Sequence, residues 1–341
     1  MKLTALPTFV GLGALALGAL SAPAEAQDFY RGKRIEIVVG FSAGGGYDLA
    51  ARLYARHYGK QIPGNPGFLV TNMPGAGSMV AANTIYNLQP QDGTRLGMIT
   101  GGIILAPILG DAQAKFDSRK FQYIGGRAAE PSVCVVWHTV PVDSMEDVIK
   151  RETIVGSSGP GSRTFTFPKA LNALIGTKWK TVVGYPGGNE TAAAMEKGET
   201  EAFCGWAWGT IKARNADWVR DGKIKFLTQF TLAKAPDLPN VPMAHEFAKT
   251  DEARQAIEFL ESDAMLAWPF FAPPGTPIDR VQQLRASFEA MMKDPEFMAD
   301  AAKQKLDIDI VKGTEMQDLV AHLYDTPVPV LKTVNDILKM Q

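Results

Sequence analysis

Residues 35–52, IEIVVGFSAGGGYDLAAR, pass from the pattern of a buried strand through a glycine loop into the pattern of a helix. The β-branched run at 35–39 is typical of a strand that is covered on both faces in an α/β sheet. Gly44, Gly45 and Gly46 can take positive φ without a side-chain penalty, so the chain can turn sharply there. We predict a strand, a tight loop and a helix over about 47–58, whose unpaired first-turn N–H groups would attract an anion.

The same stretch contains G-x-S-x-G at residues 40–44, the nucleophile elbow of α/β-hydrolases. A secreted serine hydrolase that uses Ser42 is therefore an alternative. An elbow needs earlier strands beneath it and an earlier loop to supply an oxyanion donor, and almost nothing precedes this one. The glycines do not match G-x-G-x-x-G, and no G-K-[ST] follows to form a P-loop.

Residues 1–26 have the pattern of a secretory signal peptide. Lys2 precedes an apolar segment at 9–20, and Ala24-Glu25-Ala26 matches the A-x-A cleavage pattern. No later segment reaches the roughly 18 apolar residues that a membrane-spanning helix requires. We expect a mature chain that begins at Gln27 and is soluble in the periplasm.

Composition narrows the class of protein. A length of 341 residues exceeds a usual single core, which favours two domains. The net charge of −1 removes the electrostatic case for nucleic acid or an anionic membrane surface. The four histidines have no metal-ligand spacing, so we predict no metal and no other cofactor. Two cysteines, Cys134 and Cys204, could form one bridge in an oxidising compartment.

Short strand patterns alternate with helix patterns along the chain, which is the signature of parallel sheets. A second glycine loop at 157–162 repeats the arrangement of the first. Such loops lie at the carboxyl ends of parallel strands, where ligands of open α/β sheets bind. The character changes near 126–131, and 270–277 is a crossing segment with Thr276 as N-cap and Pro277 at N1 of a helix. We expect two lobes, a hinged cleft, and a tail that packs back on the first lobe.

Seven motifs follow one another in the chain: IEIVVGFSAGGGYDLAAR, VTNMPGAGS, PQDGTRL, VGSSGPGS, VVGYPGGNE, PDLPNVPMAHE and APPGTPIDRV. Their joint order resembles the periplasmic substrate-binding receptors of tripartite tricarboxylate transporters, the Bug family, over nearly the whole mature chain. The resemblance implies an α/β type II periplasmic-binding-protein fold with two doubly wound lobes and a hinged interdomain cleft. The implied lobes are 27–130 with 268–341 for lobe 1, and 131–267 for lobe 2.

The resemblance also implies a function without catalysis. A receptor of this kind captures a small organic acid, either a di- or tricarboxylate or an aromatic carboxylate, and delivers it to integral-membrane transporter subunits. A sensor kinase is a further partner that the same fold could serve. We expect a monomer.

The ligand would be held by three loops, largely through backbone N–H groups, hydroxyls and bridging waters. Glycine loops at two facing helix ends supply several aimed neutral donors and favour a ligand with an anionic group at each end. For Ser78 and Ser162, a local turn or cap hydrogen bond is an alternative role. The implied ligand-binding residues are Phe41, Ser42, Ala43, Gly44, Gly45, Tyr47, Asp48, Ala76, Gly77, Ser78, Ser157, Ser158, Gly161, Ser162, Arg163 and Trp206.

Two positions depart from the family pattern and bear on the ligand. Tyr47 stands where a small Ser or Thr is usual, which places an aromatic ring at the mouth of the cleft. Gly205 stands where many relatives have an acidic residue, which argues against a ligand with an amino group. Trp206 and Trp208 follow at once and suit a planar or apolar ligand body, unless they are core residues.

Three further expectations concern the second lobe. Arg163 would pair with the distal carboxylate of the ligand or would be solvated. Pro168 would interrupt a helix begun at Ser162, so the helix is expected to start later. In the family's sheet order, the strands through Cys134 and Cys204 would be neighbours, which implies a disulfide, with two buried free thiols as the alternative.

Overall fold

The computed structural model describes residues 29–127, 130–306 and 308–339, so the signal-peptide prediction for 1–26 lies outside the described residues. The strands are β1 Arg34–Val39, β2 Gly67–Asn72, β3 Arg95–Met98, β4 Gln122–Arg127, β5 Ser132–Trp137, β6 Thr153–Ser157, β7 Trp179–Val183, β8 Ala202–Ala207, β9 Ile224–Phe230, β10 Ala267–Ala272 and β11 Ile310–Lys312. The helices are α1 Gly46–His57, α2 Met79–Asn87, α3 Gly101–Leu105, α4 Met145–Lys150, α5 Arg163–Ile175, α6 Gly188–Glu196, α7 Trp208–Arg214, α8 Ala216–Arg220, α9 Asp251–Glu261, α10 Ile278–Met291, α11 Pro295–Lys303, α12 Gly313–Leu323 and α13 Val328–Lys339.

The first sheet has the strand order β11-β4-β10-β3-β1-β2. Strand β1 runs parallel to β2 and β3, and β10 runs antiparallel to β3 and β4. The β1 side chains Ile35, Ile37, Val38 and Val39 are all buried, so both faces of this strand are covered. The β-branched run at 35–39 thus forms the predicted strand that is covered on both faces.

The second sheet has the order β7-β6-β8-β5-β9. Strand β6 is parallel to β7 and β8, while β5 is antiparallel to β8 and β9. The chain passes from the first sheet to the second between β4 and β5, and it returns between β9 and β10. Each sheet therefore combines the predicted parallel β-α units with a crossing strand, whose antiparallel pairing the sequence analysis did not predict.

The tail divides between the two sheets. Helix α12 packs against β4 of the first sheet, as expected, but α13 packs against α5 and α9, beside the second sheet. Lys169 Nζ on α5 donates to the Leu338 carbonyl at 2.5 Å. The apolar stripe of α13, which includes the buried Val334 and Ile337, packs against α5 and α9. The expectation that the whole tail returns to the first lobe was wrong for α13.

Two helix starts differ from the sequence predictions. Helix α10 has Pro277 as its N-cap, because the Thr276 hydroxyl instead donates to the Pro273 carbonyl at 2.9 Å and closes a turn. Helix α5 begins at Arg163 and continues through Pro168. An interior proline costs about 3 kcal/mol. Burial of Phe167 and Leu171 on the same helix offsets a cost of that size.

Within the described part of the chain, every helix is too short or too polar to cross a membrane.

Candidate functional site

A cavity of about 70 Å³ lies where the loops of the two sheets meet. The loops touch directly beside it. The Ser42 hydroxyl after β1 donates to Glu190 Oε2 on α6 at 2.8 Å, and the Ser42 N–H donates to the Pro186 carbonyl at 3.3 Å. Asn189 Nδ2 donates to the Ala43 carbonyl at 3.4 Å. These contacts hold the two sheets together at the edge of the cavity.

Three helices of nine or more residues begin at the cavity wall: α1 at Gly46, α5 at Arg163 and α6 at Gly188. Among the described residues, none caps these helices with a side chain. Helices α4, α9 and α11, which begin elsewhere, have the side-chain caps Ser144, Thr250 and Asp294, whereas α2 and α10 also begin elsewhere and have none in the described ranges. First-turn N–H groups have no acceptor inside their own helix. The cavity therefore receives three helix starts with free N–H groups. Asp48 and Glu190 stand in the first turns of α1 and α6, so the start of α5 is the one that most favours an anion.

Arg163 in the first turn of α5 lines the cavity but is not solvated. Its Nη1 donates to Ser132 Oγ at 2.7 Å, and its Nη2 lies 3.0 Å from Asp263 Oδ1. Both partners of this ion pair are buried, and burial raises the pKa of Asp263 although Arg163 opposes that rise. The Nε of Arg163 has no hydrogen-bond partner among the described residues. Asp263 thus fixes the Arg163 guanidinium, and the Nε of Arg163 remains a buried donor.

The loop between β1 and α1 is braced by Asp48. This carboxylate accepts from the Gly44 N–H at 2.7 Å, from Arg52 Nε at 2.8 Å and from Asn72 Nδ2 at 2.9 Å. Burial raises the pKa of Asp48, but these donors outweigh burial and hold the pKa below its usual range. Asp48, Gly44, Ala43 and Ser42 do not line the cavity; Phe41, Gly45 and Tyr47 do.

The loop before α2 also lies outside the cavity lining. Its residues Ala76, Gly77 and Ser78 have φ of 44°, 64° and 82°, three consecutive left-handed conformations. The buried Ser78 hydroxyl donates to the Gly40 carbonyl at 3.1 Å. A Cβ on Gly77 would lie 2.8 Å from the Ser162 nitrogen, so this loop packs tightly against the second glycine loop. Its role in the structure is contact between the sheets.

The hydroxyls of the second glycine loop converge on Thr164 Oγ1. Ser157, Ser158 and Ser162 lie 3.1, 3.3 and 2.8 Å from it, and Ser162 Oγ also donates to the Gly159 carbonyl at 2.7 Å. Ser158, Ser162 and Thr164 line the cavity, whereas Ser157 does not. The local bond proposed as an alternative for Ser162 is therefore present.

Gly161, in the same loop, turns away from the cavity. Its φ is 81°, and a Cβ there would lie 2.7 Å from Ile103 Cδ1 on α3. It contacts the first lobe's side chains and not the cavity.

Gly205 forms a β-bulge that shapes the cavity wall. Val133 pairs with Trp206 and Cys134 pairs with Cys204, so Gly205 has no partner on β5. Strand side chains normally alternate between faces, but a bulge inserts one extra residue. Phe203 and Trp206 consequently share a face and stack with ring centroids 4.6 Å apart and an interplanar angle of 9°. Both rings line the cavity, so Trp206 is both a core residue and a cavity residue.

Gly205→Glu is expected to destabilise the protein by roughly 2–5 kcal/mol, from left-handed strain and overpacking together. Gly205 has φ of 80°, and a Cβ there would lie 2.8 Å from the Arg163 carbonyl carbon. Urea unfolding of the purified variant measures the loss. Gly176→Ala is the matched control, since Gly176 has φ of 83° and open space around it. Equal losses for the two variants would contradict the steric part of the argument.

Tyr47 lines the cavity and is partly exposed. Its ring packs on Phe41 with centroids 4.9 Å apart. Burial raises the pKa of Tyr47 to about 12, and the Thr100 side chain lies beside its hydroxyl. The tyrosine is therefore a neutral hydrogen-bonding group at any physiological pH.

Several cavity residues were missed from the sequence: Thr100, Thr164, Gly187, Gly188, Thr191, Phe203 and Thr210. Gly187 and Gly188 precede a helix in the same way as the glycines of the first loop, and this signal could have identified them. The threonines carry no comparable signal, because their position depends on helices that are distant in sequence.

The two cysteines are cross-strand neighbours. Cys134 on β5 is paired with Cys204 on β8, and the structure joins them in a disulfide.

The histidines lie apart from the cavity. His57 Nε2 is 2.9 Å from Asp300 Oδ2, and His245 Nδ1 is 2.6 Å from Glu261 Oε2. Burial raises the pKa of Glu261 to about 7. In the ranges that the structure describes, no three His, Cys, Asp or Glu side chains cluster in a way that could hold a metal ion.

The chain forms two α/β sheets and crosses between them twice, and helix starts border the cavity where the sheets meet. This arrangement defines a two-lobed solute-binding protein. The sequence comparisons agree with that class. The chain belongs to the tripartite tricarboxylate transporter receptor family, whose model, described as "Tripartite tricarboxylate transporter family receptor", matches residues 51–335.

Relatives in several bacteria extend along most of the chain. A Cupriavidus necator protein described as "UPF0065 protein in gbd 5'region" is 26% identical over 302 residues, covering 84% of each chain. A second UPF0065 protein, from Agrobacterium vitis, is 26% identical over 279 residues, covering 80% of this chain and 75% of its own length.

Solved structures show the same fold. The periplasmic binding protein BugD superposes with a TM-score of 0.71 at 20% identity, covering 90% of this chain and 98% of its own. MatC from Rhodopseudomonas palustris, solved with bound malate, gives 0.69 at 19% identity and covers 90% and 99%. An R. palustris protein solved with adipate gives 0.68 at 21% identity and covers 89% and 97%. The predicted two-lobed binding-protein fold is confirmed.

Proposed function

We propose that this protein is a periplasmic receptor that captures a small organic acid between its two lobes and delivers it to membrane transporter subunits. The observation that carries the proposal is the convergence of α1, α5 and α6 on one cavity without side-chain caps among the described residues. Backbone donors at helix starts bind carboxylates without a dedicated ion pair. The malate and adipate in the two similar structures support an acid as the ligand class.

Two side-chain donors complete the anion site. Arg163 and Trp206 line the cavity, and their Nε and Nε1 atoms are buried with no hydrogen-bond partner in the described ranges. A buried donor left without a partner costs about 1–3 kcal/mol. A ligand carboxylate bonded to either donor would remove that donor's cost.

The remaining parts of the proposal concern location and partners. Export rests on the signal-peptide pattern of 1–26, and delivery rests on the family's transporters. We propose lobe 1 as 27–130 with 268–341 and lobe 2 as 131–267, with α13 of lobe 1 lying against lobe 2. A monomer suffices, since one chain supplies the whole cavity lining. A sensor kinase is a second partner that the same lobe closure could serve.

Calorimetric titration with a panel of organic acids tests the proposal, with the matching neutral amides as controls. An acid that binds should also raise the melting temperature, because ligand at 100 times its dissociation constant adds about 2.7 kcal/mol of stability. Amides should not bind, since they lack the negative charge that the helix ends favour. Equal binding of acid and amide, or binding of neither, would refute the receptor proposal.

The alternative of a secreted serine hydrolase has little support in the site. A nucleophilic serine needs a base, usually an imidazole, to take its proton. The Ser42 hydroxyl instead donates to the Glu190 carboxylate across the lobe contact, at 2.8 Å. In the proposed receptor, the Ser42 hydroxyl therefore helps to hold the two lobes closed.

Ser42→Ala is expected to leave esterase activity unchanged at background and to weaken acid binding several-fold, by about 1 kcal/mol, through loss of one interlobe hydrogen bond. Hydrolysis of a nitrophenyl ester and calorimetry measure the two effects on the same preparations. Turnover of the ester by the wild type that disappears in Ser42→Ala would establish the hydrolase instead.

A further inference from the structure

We infer that the site selects a planar monocarboxylate, one carboxylate carried on an aromatic ring, over aliphatic dicarboxylates. The inference rests on the proposed function and narrows its ligand class. It follows from where the cavity has aromatic surface, where it has free donors, and how its charge is already balanced.

Two aromatic pairs line the cavity, and each comes from a different sheet. Phe41 and Tyr47 follow β1, with ring centroids 4.9 Å apart and an angle of 35°. Phe203 and Trp206 lie on β8 and are nearly parallel, at 4.6 Å and 9°. Aromatic surfaces favour flat partners that can stack or meet ring edges. An extended aliphatic chain makes less use of such walls.

The free donors are concentrated on the side of the second sheet. Arg163 Nε and Trp206 Nε1 are buried donors without partners in the described residues, whereas the Ser158 and Thr164 hydroxyls lie 3.3 Å apart within the local hydroxyl cluster. All four side chains belong to the loop before α5, the first turn of α5, or strand β8. One carboxylate would bind on this side of the cavity.

Within the described part of the chain, the first sheet contributes the hydroxyls of Tyr47 and Thr100 to the cavity lining but no charged donor for a second carboxylate. The Gly44 N–H is taken by Asp48, the Ser42 hydroxyl by Glu190, and the Ser78 hydroxyl by the Gly40 carbonyl. Asp48 also stands in the first turn of α1, where its negative charge already compensates the positive helix end. A second anionic group at this end would therefore meet neutral hydroxyls and, among the described lining residues, no cation.

Charge balance points the same way. Among the described residues that line the cavity, Arg163 is the sole charged side chain, and Asp263 neutralises it at 3.0 Å. Each further carboxylate would have to leave water for a site without an uncompensated cation, which is costly. A ligand with a single carboxylate bears this desolvation cost only once.

The test is a titration of the purified protein with benzoate, cyclohexanecarboxylate, succinate, adipate and benzamide. Benzoate should bind most tightly, about tenfold better than cyclohexanecarboxylate, which corresponds to ring contacts of about 1.4 kcal/mol. Succinate and adipate should bind more weakly than both, and benzamide should not bind. If succinate or adipate binds as tightly as benzoate, this inference is overturned while the receptor function stands. If no acid binds, the proposed function fails as well.

Phe203→Leu tests the aromatic wall while keeping all the donors. The ratio of benzoate to cyclohexanecarboxylate affinity should fall from about ten towards one. Phe226→Leu is the matched control, because Phe226 packs in the same second-sheet cluster but does not line the cavity. An unchanged ratio in Phe203→Leu, or an equal fall in both variants, would overturn the assignment of Phe203 to ligand selection.

Discussion

Arg163→Met should lower the free energy of unfolding by about 3–5 kcal/mol, because removing one partner of a buried ion pair leaves the other charge uncompensated. Here the partner left behind is Asp263, which is buried and already has one carboxylate oxygen without a hydrogen-bond partner among the described residues. Acid binding should be lost in the same variant. Urea unfolding and calorimetry measure the two effects.

Two further variants make this result specific. Adding Asp263→Asn to Arg163→Met should recover part of the lost stability, because it removes the uncompensated charge. Arg220→Met is the control, since the Arg220–Asp221 pair is largely exposed and such pairs are worth about 0–1 kcal/mol. A loss below 1 kcal/mol for Arg163→Met would contradict the buried pair.

The second large effect is expected from the disulfide. Replacing Cys134 and Cys204 together by Ala should cost about 4 kcal/mol in the chain-entropy model, since the bridge joins residues 70 positions apart. Urea unfolding of the wild type with and without reductant should show the same difference, and reductant should not affect the double variant. Alkylation of both cysteines in unfolded wild type without reductant would show two free thiols and contradict the bridge.

The central elements of the fold could be predicted because their signals are local. A β-branched run followed by glycines specifies β1, its loop and α1 through the conformations that adjacent residues permit. The position of α13 could not be predicted in this way. Its apolar stripe shows that it packs on something, but the partners α5 and α9 are fixed by the arrangement of the whole chain.

The site was predicted in part, for a related reason. Sequence patterns located the loops that approach the cavity, but not which of their polar groups remain free. Ser42 is engaged by Glu190, 148 positions away, and Arg163 is engaged by Asp263, 100 positions away. The sequence analysis noted Gly205 because it stands where many relatives have an acidic residue. In the structure, its main effect is a bulge that brings Phe203 and Trp206 together.

The central claim is that uncapped helix starts and Arg163 hold a carboxylate between the lobes. A crystal structure of the complex with the tightest-binding acid of the panel tests it most directly. We expect one carboxylate within about 3 Å of Arg163 Nε and of first-turn N–H groups of α5. A carboxylate bound outside this cavity, or turned away from α5 towards solvent, would contradict the claim.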